Sequence, residues 1–443
     1  MSEGPLLPAI ITYTIPIILT SILQLLFNAA DLVVVGRFCG SSSVAAVGAT
    51  GSLTNLLVNF FIGLSVGSSV TIAQAYGARD NEAQHRTLHT AVAISLLAGS
   101  VLTVVGVLFS ETFLTLMGTP EDVLPKSAIY MKIYFGGIIF NMLYNYCASI
   151  MRAVGDTVRP LMFLSLAGVI NVILNIVFVT VFHMDVAGVA LATTISQAVS
   201  ATLVIASLMH RTDACRLYLK EIRIYVDQLK KILVIGLPAG VQSILFSVSN
   251  VIIQSSINSF GDIFMSGSAA ASSIEGFVYV TLNAFMQTSV NFTGQNYGAK
   301  KYKRIKQGYY MCLLCVLAIG IPVCIAVRLL GPNLLSIYIT DSAEAIQYGL
   351  VRMNYICLPY VLCGLMEVAT GAIRGVGKSF IAMVMSIIGV VGIRIVWIYT
   401  VFAAHHTPEA LFVSYPISWV GTFICQYIAF MIIYKKIKKE ENL

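Results

Sequence analysis

The sequence predicts an all-α polytopic membrane protein of 12 transmembrane helices, built as two six-helix bundles related by a pseudo-two-fold axis along the membrane normal. Three observations predict this fold class: an apolar composition, a series of long apolar segments and an internal repeat. Of the 443 residues, 58% are hydrophobic and 11% are charged, whereas soluble domains carry about 25% charged residues. The mean hydropathy of +0.86 agrees, and an ordinary soluble domain is excluded.

The apolar segments are long enough to cross a bilayer as helices, which takes about 20 residues each. The short alternating segments of a transmembrane barrel are not visible. The predicted spans are 9–35, 44–74, 88–110, 127–151, 160–182, 186–209, 229–257, 266–294, 307–330, 346–373, 380–402 and 409–434.

The basic residues orient these spans, because Lys and Arg concentrate in cytoplasmic loops. With the N-terminus in the cytoplasm, 21 of the 27 Lys and Arg residues fall on the inner side. Arg394 lies inside a span, and the outer side receives Arg37, Lys126, Lys132, Arg328 and Arg352. The sequence therefore predicts that both termini are cytoplasmic. This topology and contact with anionic lipid explain the net charge of +7 without a nucleic-acid partner.

Neither a signal peptide nor a zinc site is predicted. The start "MSEGPLLPAI" has no basic region or small-residue cleavage site. Most of the nine cysteines lie in apolar spans, and Cys312-Leu-Leu-Cys315 lacks a histidine or a second cysteine pair.

A repeat at a nearly constant offset predicts the domain organisation. "QAYGAR" at 74–79 returns as "QNYGAK" at 295–300, and "RAVGDT" from Arg152 returns as "RGVGKS" from Arg374. Pro16 and Pro238 lie 222 residues apart. The predicted domains are an N-terminal half (1–215), a cytoplasmic linker (216–228) and a C-terminal half (229–443). Each half has an even number of spans, so both have the same orientation.

The repeated hexamer falls where the second helix of each half reaches the cytoplasm. We interpret it as a helix stop in which the glycine takes the left-handed cap position and the basic residue faces the inner surface.

Polar residues inside the N-terminal spans predict a cation site. Asp31 shares a helical face with Gln24 and Asn28, and Asn171 and Asn175 lie one turn apart on the fifth span. Thr193 comes out at a similar depth on the sixth span. The carboxylate of Asp31, the amides of Asn171 and Asn175 and the Thr193 hydroxyl would suit Na⁺ or a proton. The alternative is hydrogen bonding between helices around a permanently protonated Asp31.

The C-terminal half carries Glu275, Glu367 and Arg394 inside its spans. Because charges inside a bilayer are costly, each is a functional candidate. By depth, the sequence predicts an ion pair between Arg394 and Glu275, which could also be purely structural. Glu367 lies near the cytoplasmic end, where its carboxylate could reach the interface.

A substrate cavity is expected between the first, second, seventh and eighth spans. Methionine and aromatic side chains adapt to varied apolar ligands, and aromatic rings hold organic cations; plain packing is the alternative for most of them. The residues predicted to line the cavity are Gln24, Asn28, Asn250, Gln254, Asn283 and Met286.

The motifs together resemble a bacterial member of the multidrug and toxic compound extrusion (MATE) family. The resemblance covers nearly the whole chain and rests on the two hexamers, both "RxVG" motifs and three further segments. Those segments are "ADLVVVGRFCG" at 30–40, "NVILN" at 171–175 and "GVALAT" at 188–193.

The resemblance implies a monomeric antiporter of the bacterial inner membrane. It would export cationic or amphipathic compounds by alternating access, driven by H⁺ or Na⁺ and without another cofactor. The family's cation site would map onto Asp31, Asn171, Asn175 and Thr193, with Asn175 in place of a second acid. A single carboxylate favours proton coupling. The acid that another branch of the family has in the seventh span is missing from 229–257.

Other functions remain as alternatives. A flippase of lipid-linked sugars would belong to the same superfamily, although basic residues inside the spans are scarce. A receptor-like binding protein would show no flux. An intramembrane enzyme is not expected, because all six His lie at or near loops.

Overall fold

The computed structural model describes residues 1–340 and 342–440, and these residues are mainly α-helical. The first six spans contain α1 (Leu6–Phe38), α2 (Ser41–Gly77), α3 (Asn81–Leu116), α4 (Leu124–Gly136), α5 (Ile138–Ala153), α6 (Val158–Ile176) and α7 (Asp185–Met209). The second six contain α8 (Val226–Asn258), α9 (Asp262–Gly298), α10 (Tyr302–Leu329), α11 (Gly331–Tyr338), α12 (Ala343–Arg352), α13 (Tyr360–Gly375), α14 (Ser379–Ser386), α15 (Ile393–Trp397), α16 (Pro408–Phe412) and α17 (Ser414–Glu440).

These helices confirm the predicted layout of twelve spans in two six-helix bundles. In the described part of the chain, ten helical segments are long and apolar enough to cross a membrane. The other two spans are the α4–α5 pair, which is interrupted at Gly137, and α9. The fifth, tenth and eleventh spans contain π-helical turns, for example Val177–Val181 after α6. Such turns often occur at functional sites.

The chain divides into two compact units. The N-terminal unit comprises Leu19–Gly240, and the C-terminal unit comprises Met1–Ile18 and Val241–Leu443, of which 341 and 441–443 lie outside the described residues. Each division falls two residues after a repeated proline, Pro16 in α1 or Pro238 in α8. The predicted boundaries follow the repeat, whereas these units follow the packing. The beginning of each proline-containing helix therefore packs with the other half of the sequence.

Close packing within each unit explains why the beginnings of α1 and α8 pack with the other half of the sequence. In the N-terminal unit, a Cβ atom on Gly67 of α2 would lie 2.1 Å from the Ile232 carbonyl oxygen of α8, so the two backbones are in direct contact. In the C-terminal unit, the hydroxyl oxygens of Thr14 and Thr288 are 2.8 Å apart. Small residues and interhelical hydrogen bonds are the usual means of packing helices in membranes.

The backbone repeats its unusual conformations at the offset seen in the sequence. Gly40 and Gly261, which precede α2 and α9, both have φ of 89°. Gly155 and Gly377, from the two "RxVG" motifs, have φ of 100° and 83°. These glycine pairs support the interpretation of the chain as a duplicated six-helix unit.

The predicted glycine cap of the repeated hexamer is wrong. The left-handed residues are Arg79 (φ 56°) and Lys300 (φ 55°), whereas Gly77 and Gly298 end their helices. The Arg79 N–H donates to the Tyr76 carbonyl at 3.1 Å, and the following N–H donates back to residue 75 at 3.0 Å. This is the two-bond Schellman arrangement, which holds a left-handed residue at a helix end. The hexamer is a helix stop as predicted.

Candidate functional site

The N-terminal unit brings together the four side chains predicted to form a cation site. The Asn175 amide nitrogen donates to Asp31 Oδ1 at 2.5 Å and to Asn171 Oδ1 at 3.2 Å. The Thr193 hydroxyl donates to Asp31 Oδ2 at 3.4 Å, and the Asn171 amide nitrogen lies 3.4 Å from Thr193 Oγ1. The four groups form a closed ring of hydrogen bonds, which we call the Asp31 cluster.

Three helices supply the Asp31 cluster. Asp31 comes from α1, and Thr193 comes from α7. Asn171 and Asn175 are four residues apart on α6, so both side chains face the same way, and α6 then continues into its π-helical turn. Asn171 and Asn175 are 4% and 0% exposed, while Asp31 and Thr193 are half-buried.

The Asp31 cluster offers more acceptors than its own donors use. Asn175 Oδ1 is buried and has no hydrogen-bond partner among the described residues, a costly arrangement unless another group completes it. No charged side chain in the described part of the chain pairs with Asp31. Carboxylate, amide and hydroxyl oxygens are the ligands that hard cations prefer, so the residues present fit a proton or a cation such as Na⁺.

Neighbouring polar residues stay outside the Asp31 cluster. Gln24 and Asn28, which share the helical face of Asp31 in the sequence, are exposed side chains of the N-terminal unit. Thr194 turns away from the cluster, and its hydroxyl donates to the Ile133 carbonyl at 3.4 Å. Thr193 is therefore the threonine that reaches Asp31, as predicted.

The predicted ion pair between Arg394 and Glu275 is wrong. Glu275 of α9 instead forms a two-bond ion pair with Arg352 of α12, with both N–O distances at 2.9 Å. A third nitrogen of Arg352 donates to Ser268 at 2.7 Å. The side chains of Arg352 and Glu275 are 8% and 7% exposed, so this pair is fully internal.

Close helix packing explains why Arg352 rather than Arg394 reaches Glu275. A Cβ atom on Gly267 of α9 would lie 2.2 Å from the Ala345 carbonyl oxygen of α12. The two helices therefore pack backbone to backbone, and Arg352, counted among the outer-loop charges from the sequence, lies inside their interface. Arg352 is a site residue that the sequence reasoning missed.

Arg394 is held by aromatic rings instead. Its guanidinium carbon lies 4.1 Å from the Tyr415 ring centroid and 5.9 Å from the Trp419 ring centroid. Its Nε donates to Ser418 at 3.1 Å. All three partners belong to α17, so Arg394 stabilises the packing of α15 against α17 by cation–π contact.

Glu367 of α13 is buried, and no direct partner for it lies among the described residues. It is 7% exposed, and in the described part of the chain it makes no hydrogen bond or ion pair. The charged group that acts on it electrostatically is Arg374, which lies two turns further along α13 and donates to the Gln242 side chain at 2.8 Å. Within the described ranges, Arg374 Nε is also buried without a hydrogen-bond partner. Glu367 and Arg374 are therefore a second group of incompletely compensated polar atoms.

The expected scarcity of basic residues within the spans is not found in the C-terminal unit. Arg352, Arg374 and Arg394 are all buried there, with exposures of 5–7%. Arg374 directly follows the predicted tenth span (346–373) and is one of the 21 basic residues assigned to the inner side, so its burial was not expected. The Arg352 guanidinium is paired with a carboxylate, the Arg374 guanidinium with an amide and the Arg394 guanidinium with aromatic rings.

The remaining residues predicted to line a cavity lie in the C-terminal unit. Asn250 and Gln254 are exposed on α8, and the Gln254 amide donates to Asn258 at 2.9 Å. Asn283 and Met286 are half-buried on α9, and the Asn283 amide lies 3.4 Å from the Tyr279 hydroxyl. Their shared role in a substrate cavity stays a prediction.

The fold and the internal polar groups define a multi-pass membrane protein of two homologous helical halves. Comparison with known proteins narrows this class to one family. The family model MatE matches residues 16–177 and again 238–400. The two matches begin at the repeated prolines, which supports the duplication. The chain belongs to the MATE family.

Individual relatives agree with this assignment. The chain is 28% identical over 436 residues to the probable multidrug resistance protein YoeA of Bacillus subtilis, covering 96% of this chain and 93% of that one. It is 21% identical to the multidrug export protein MepA of Staphylococcus aureus, covering 98% and 94%. An outward-facing structure of a multidrug resistance MATE family transporter matches with a TM-score of 0.91 at 21% identity, covering 98% and 97%.

Proposed function

We propose that the chain is a cation-coupled antiporter of the bacterial inner membrane that exports cationic or amphipathic compounds by alternating access. Its relatives YoeA and MepA are described as multidrug resistance and export proteins, and this supports efflux over catalysis or reception. The excess of Lys and Arg on one side of the spans supports cytoplasmic termini.

The Asp31 cluster carries the coupling in this proposal. Asp31 is an acid within a membrane span whose hydrogen-bond partners, Asn175 and Thr193, are both neutral. Its charge is therefore balanced only when it binds a proton or a metal cation, and an unbalanced charge there costs several kcal/mol. Cation binding and release must alter the stability of the helix packing around α1, α6 and α7. A substrate that favours the other packing is then coupled to the cation by reciprocity.

The single carboxylate favours H⁺ over Na⁺. Na⁺ would keep Asp31 ionised and would need oxygens from Asn171, Asn175 and Thr193, whereas two of these residues present N–H or O–H donors to the carboxylate. A proton needs only the carboxylate itself. The unpartnered Asn175 Oδ1 is the feature that would still serve Na⁺.

Gradient-driven dye flux tests this proposal directly. Purified protein in proteoliposomes should move ethidium against its gradient when an inward H⁺ gradient is imposed, and an imposed Na⁺ gradient should have little effect. Flux driven by Na⁺ alone would reverse the assignment of the ion. If neither gradient drives any cationic dye while labelled lipid-linked sugars exchange between leaflets, the flippase alternative replaces the antiporter.

A further inference from the structure

In the N-terminal unit, the linker between the two halves fills a groove at the ends of α3 and α7. The Leu217 N–H donates to the Leu208 carbonyl of α7 at 3.1 Å, and Leu217 is 2% exposed. The Tyr218 N–H donates to His89 Nε2 of α3 at 3.1 Å. The linker therefore spans from one helix to the other and covers this groove.

The linker also places a carboxylate against α3. Glu221 Oε2 lies 2.7 Å from His85 Nε2, and His85 precedes His89 by one helical turn. The positions 85 and 89 of α3 thus bind one anionic side chain and one backbone N–H of the linker. Both positions face a segment of this chain.

In the internal repeat, positions 85 and 89 of α3 correspond to Lys306 and Tyr310 of α10. The offset of 221 that relates Arg79 to Lys300 also relates the first residues of α3 and α10, Asn81 and Tyr302. At that offset His85 corresponds to Lys306 and His89 to Tyr310. Lys306 and Tyr310 are exposed, so the equivalent surface of the C-terminal unit faces outward.

The surface around Lys306 is a seam between α10 and α17. Lys306 Nζ lies 5.9 Å from the Tyr310 ring centroid and 6.0 Å from the Tyr434 ring centroid of α17. The hydroxyl oxygens of Tyr310 and Tyr427 are 2.8 Å apart and join the helices one turn deeper. Lys438 follows Tyr434 by one turn on the same face of α17. We call this surface the Tyr310 seam.

Along both helices the Tyr310 seam changes from apolar to aromatic to basic. On α10, Leu314 is 58% exposed and is followed toward the helix start by Tyr310 and Lys306, each four residues apart. On α17, Ile424 and Ile428 are 51% and 53% exposed and precede Tyr434 and Lys438. This order matches the layers of a lipid, with acyl chains against Leu and Ile and a headgroup against tyrosine and lysine.

The charges of the Tyr310 seam are uncompensated within the described part of the chain. Lys306 and Lys438 are exposed, and no described carboxylate lies within ion-pair distance of them. Clusters of basic residues at the cytoplasmic end of a membrane helix attract anionic lipid. We propose that the Tyr310 seam binds the phosphate headgroup of an anionic phospholipid of the inner leaflet, with its acyl chains along Leu314 and Ile428.

In this arrangement Lys306 and Lys438 contact the phosphate, and the Tyr310–Tyr427 hydroxyl pair has one O–H free to donate to it. The lipid takes the place that the linker has in the N-terminal unit, since both present an anionic group to the first turns of the third helix of their half. The proposal concerns lipid binding and does not depend on the direction or ion of transport.

Thermal stabilisation of the detergent-purified, full-length protein by lipid tests the proposal. Dioleoyl phosphatidylglycerol should raise the Tm at concentrations where the zwitterionic phosphatidylcholine does not. The variant Lys306→Gln/Lys438→Gln should need about 25-fold more phosphatidylglycerol for half of the shift, since each lysine near an anionic surface contributes about fivefold. Tyr310→Phe should weaken the response by a smaller factor.

The matched control removes two exposed lysines from the N-terminal unit, Lys220→Gln/Lys230→Gln, and should keep the response of the unchanged protein. If this control lost its Tm response to phosphatidylglycerol to the same extent, the effect would be due to net charge alone, and the proposal would be overturned. So would the same Tm shift with inorganic phosphate alone, which would indicate a free-anion site. An undiminished response in Lys306→Gln/Lys438→Gln would also overturn it.

Discussion

Asp31 in the N-terminal unit and Glu275 in the C-terminal unit are both acids inside membrane spans, but their neighbouring side chains differ; Glu367 is a further buried acid of the C-terminal unit. Among the described residues, Asp31 in the N-terminal unit is hydrogen-bonded only to amide and hydroxyl groups, whereas Glu275 in the C-terminal unit is bound by the Arg352 guanidinium through two bonds. A carboxylate with neutral partners can gain and lose a cation without breaking an ion pair. A carboxylate held by arginine is already neutralised and serves to join α9 and α12.

From this difference we expect that an acid within a span is not by itself a coupling site. In our proposal, the charge of the neighbouring side chains decides which of these acids can respond to an ion gradient. The following predictions test that distinction, from the largest expected effect to the smallest.

Removing Arg352 should have the largest effect on stability. Arg352→Met leaves Glu275 buried without its counter-charge, and breaking a buried pair in this way costs about 3–5 kcal/mol. The Tm of the purified protein should fall sharply. Because the double variant Arg352→Met/Glu275→Met removes both charges, it should recover most of the loss. A double variant no more stable than Arg352→Met would contradict the view that the pair is structural.

A second acid in the Asp31 cluster should change the coupling ion. In Asn175→Asp, two carboxylates lie within hydrogen-bond distance and cannot both be ionised without a cation between them. We expect Na⁺ to stabilise this variant and to drive dye flux, measured as Na⁺-dependent Tm and as flux under an imposed Na⁺ gradient. The control Asn171→Asp places the acid beside Thr193 and should respond less. Insensitivity of Asn175→Asp to Na⁺ would show that the remaining oxygens do not form a metal site.

A partly exposed ion pair should contribute much less than the buried one. Directly after α7, Arg211 Nη2 lies 2.5 Å from Asp213 Oδ2, and Arg211 holds the pKa of the Asp213 carboxyl below its usual range. The folded-state pKa is depressed, so this stabilisation is present above the unfolded pKa and is lost as the pH falls through the folded one. Asp213→Asn should cost less than about 1 kcal/mol and flatten the acid side of the Tm–pH profile. A loss as large as that of Arg352→Met would overturn this ranking.

Much of the fold followed from the sequence, because span length, Lys and Arg distribution and a repeated offset are all local or additive signals. The Asp31 cluster was also predictable, since a spacing of four residues on α6 places Asn171 and Asn175 on one face whatever their neighbours are. The packing of the beginnings of α1 and α8 with the other half of the sequence was not predictable, because it depends on close contacts such as that between Gly67 and the backbone of α8. In the sequence repeat, residues 1–18 belong to the N-terminal half, whereas in the structure they pack with the C-terminal unit.

The Arg352 pair shows most clearly where sequence reasoning failed. Lys132 and Arg352 occupy corresponding positions of the two halves, and the sequence places both at the outer surface. Lys132 does form an exposed pair with Glu111 at 2.5 Å, but Arg352 is drawn into the bundle by the close packing of α12 on α9. Depth along a helix therefore did not predict the partner of Glu275, since depth alone does not give lateral neighbours.

The central claim, that Asp31 couples transport and Glu275 does not, is tested most directly by ethidium flux in proteoliposomes under an imposed H⁺ or Na⁺ gradient. We expect Asp31→Asn to abolish gradient-driven flux while keeping its Tm, and Glu275→Met/Arg352→Met to retain flux. The neighbouring variant Thr194→Ser controls for changes near the cluster and should transport normally. Gradient-driven flux that persists in Asp31→Asn would contradict the account and move the coupling site to Glu367.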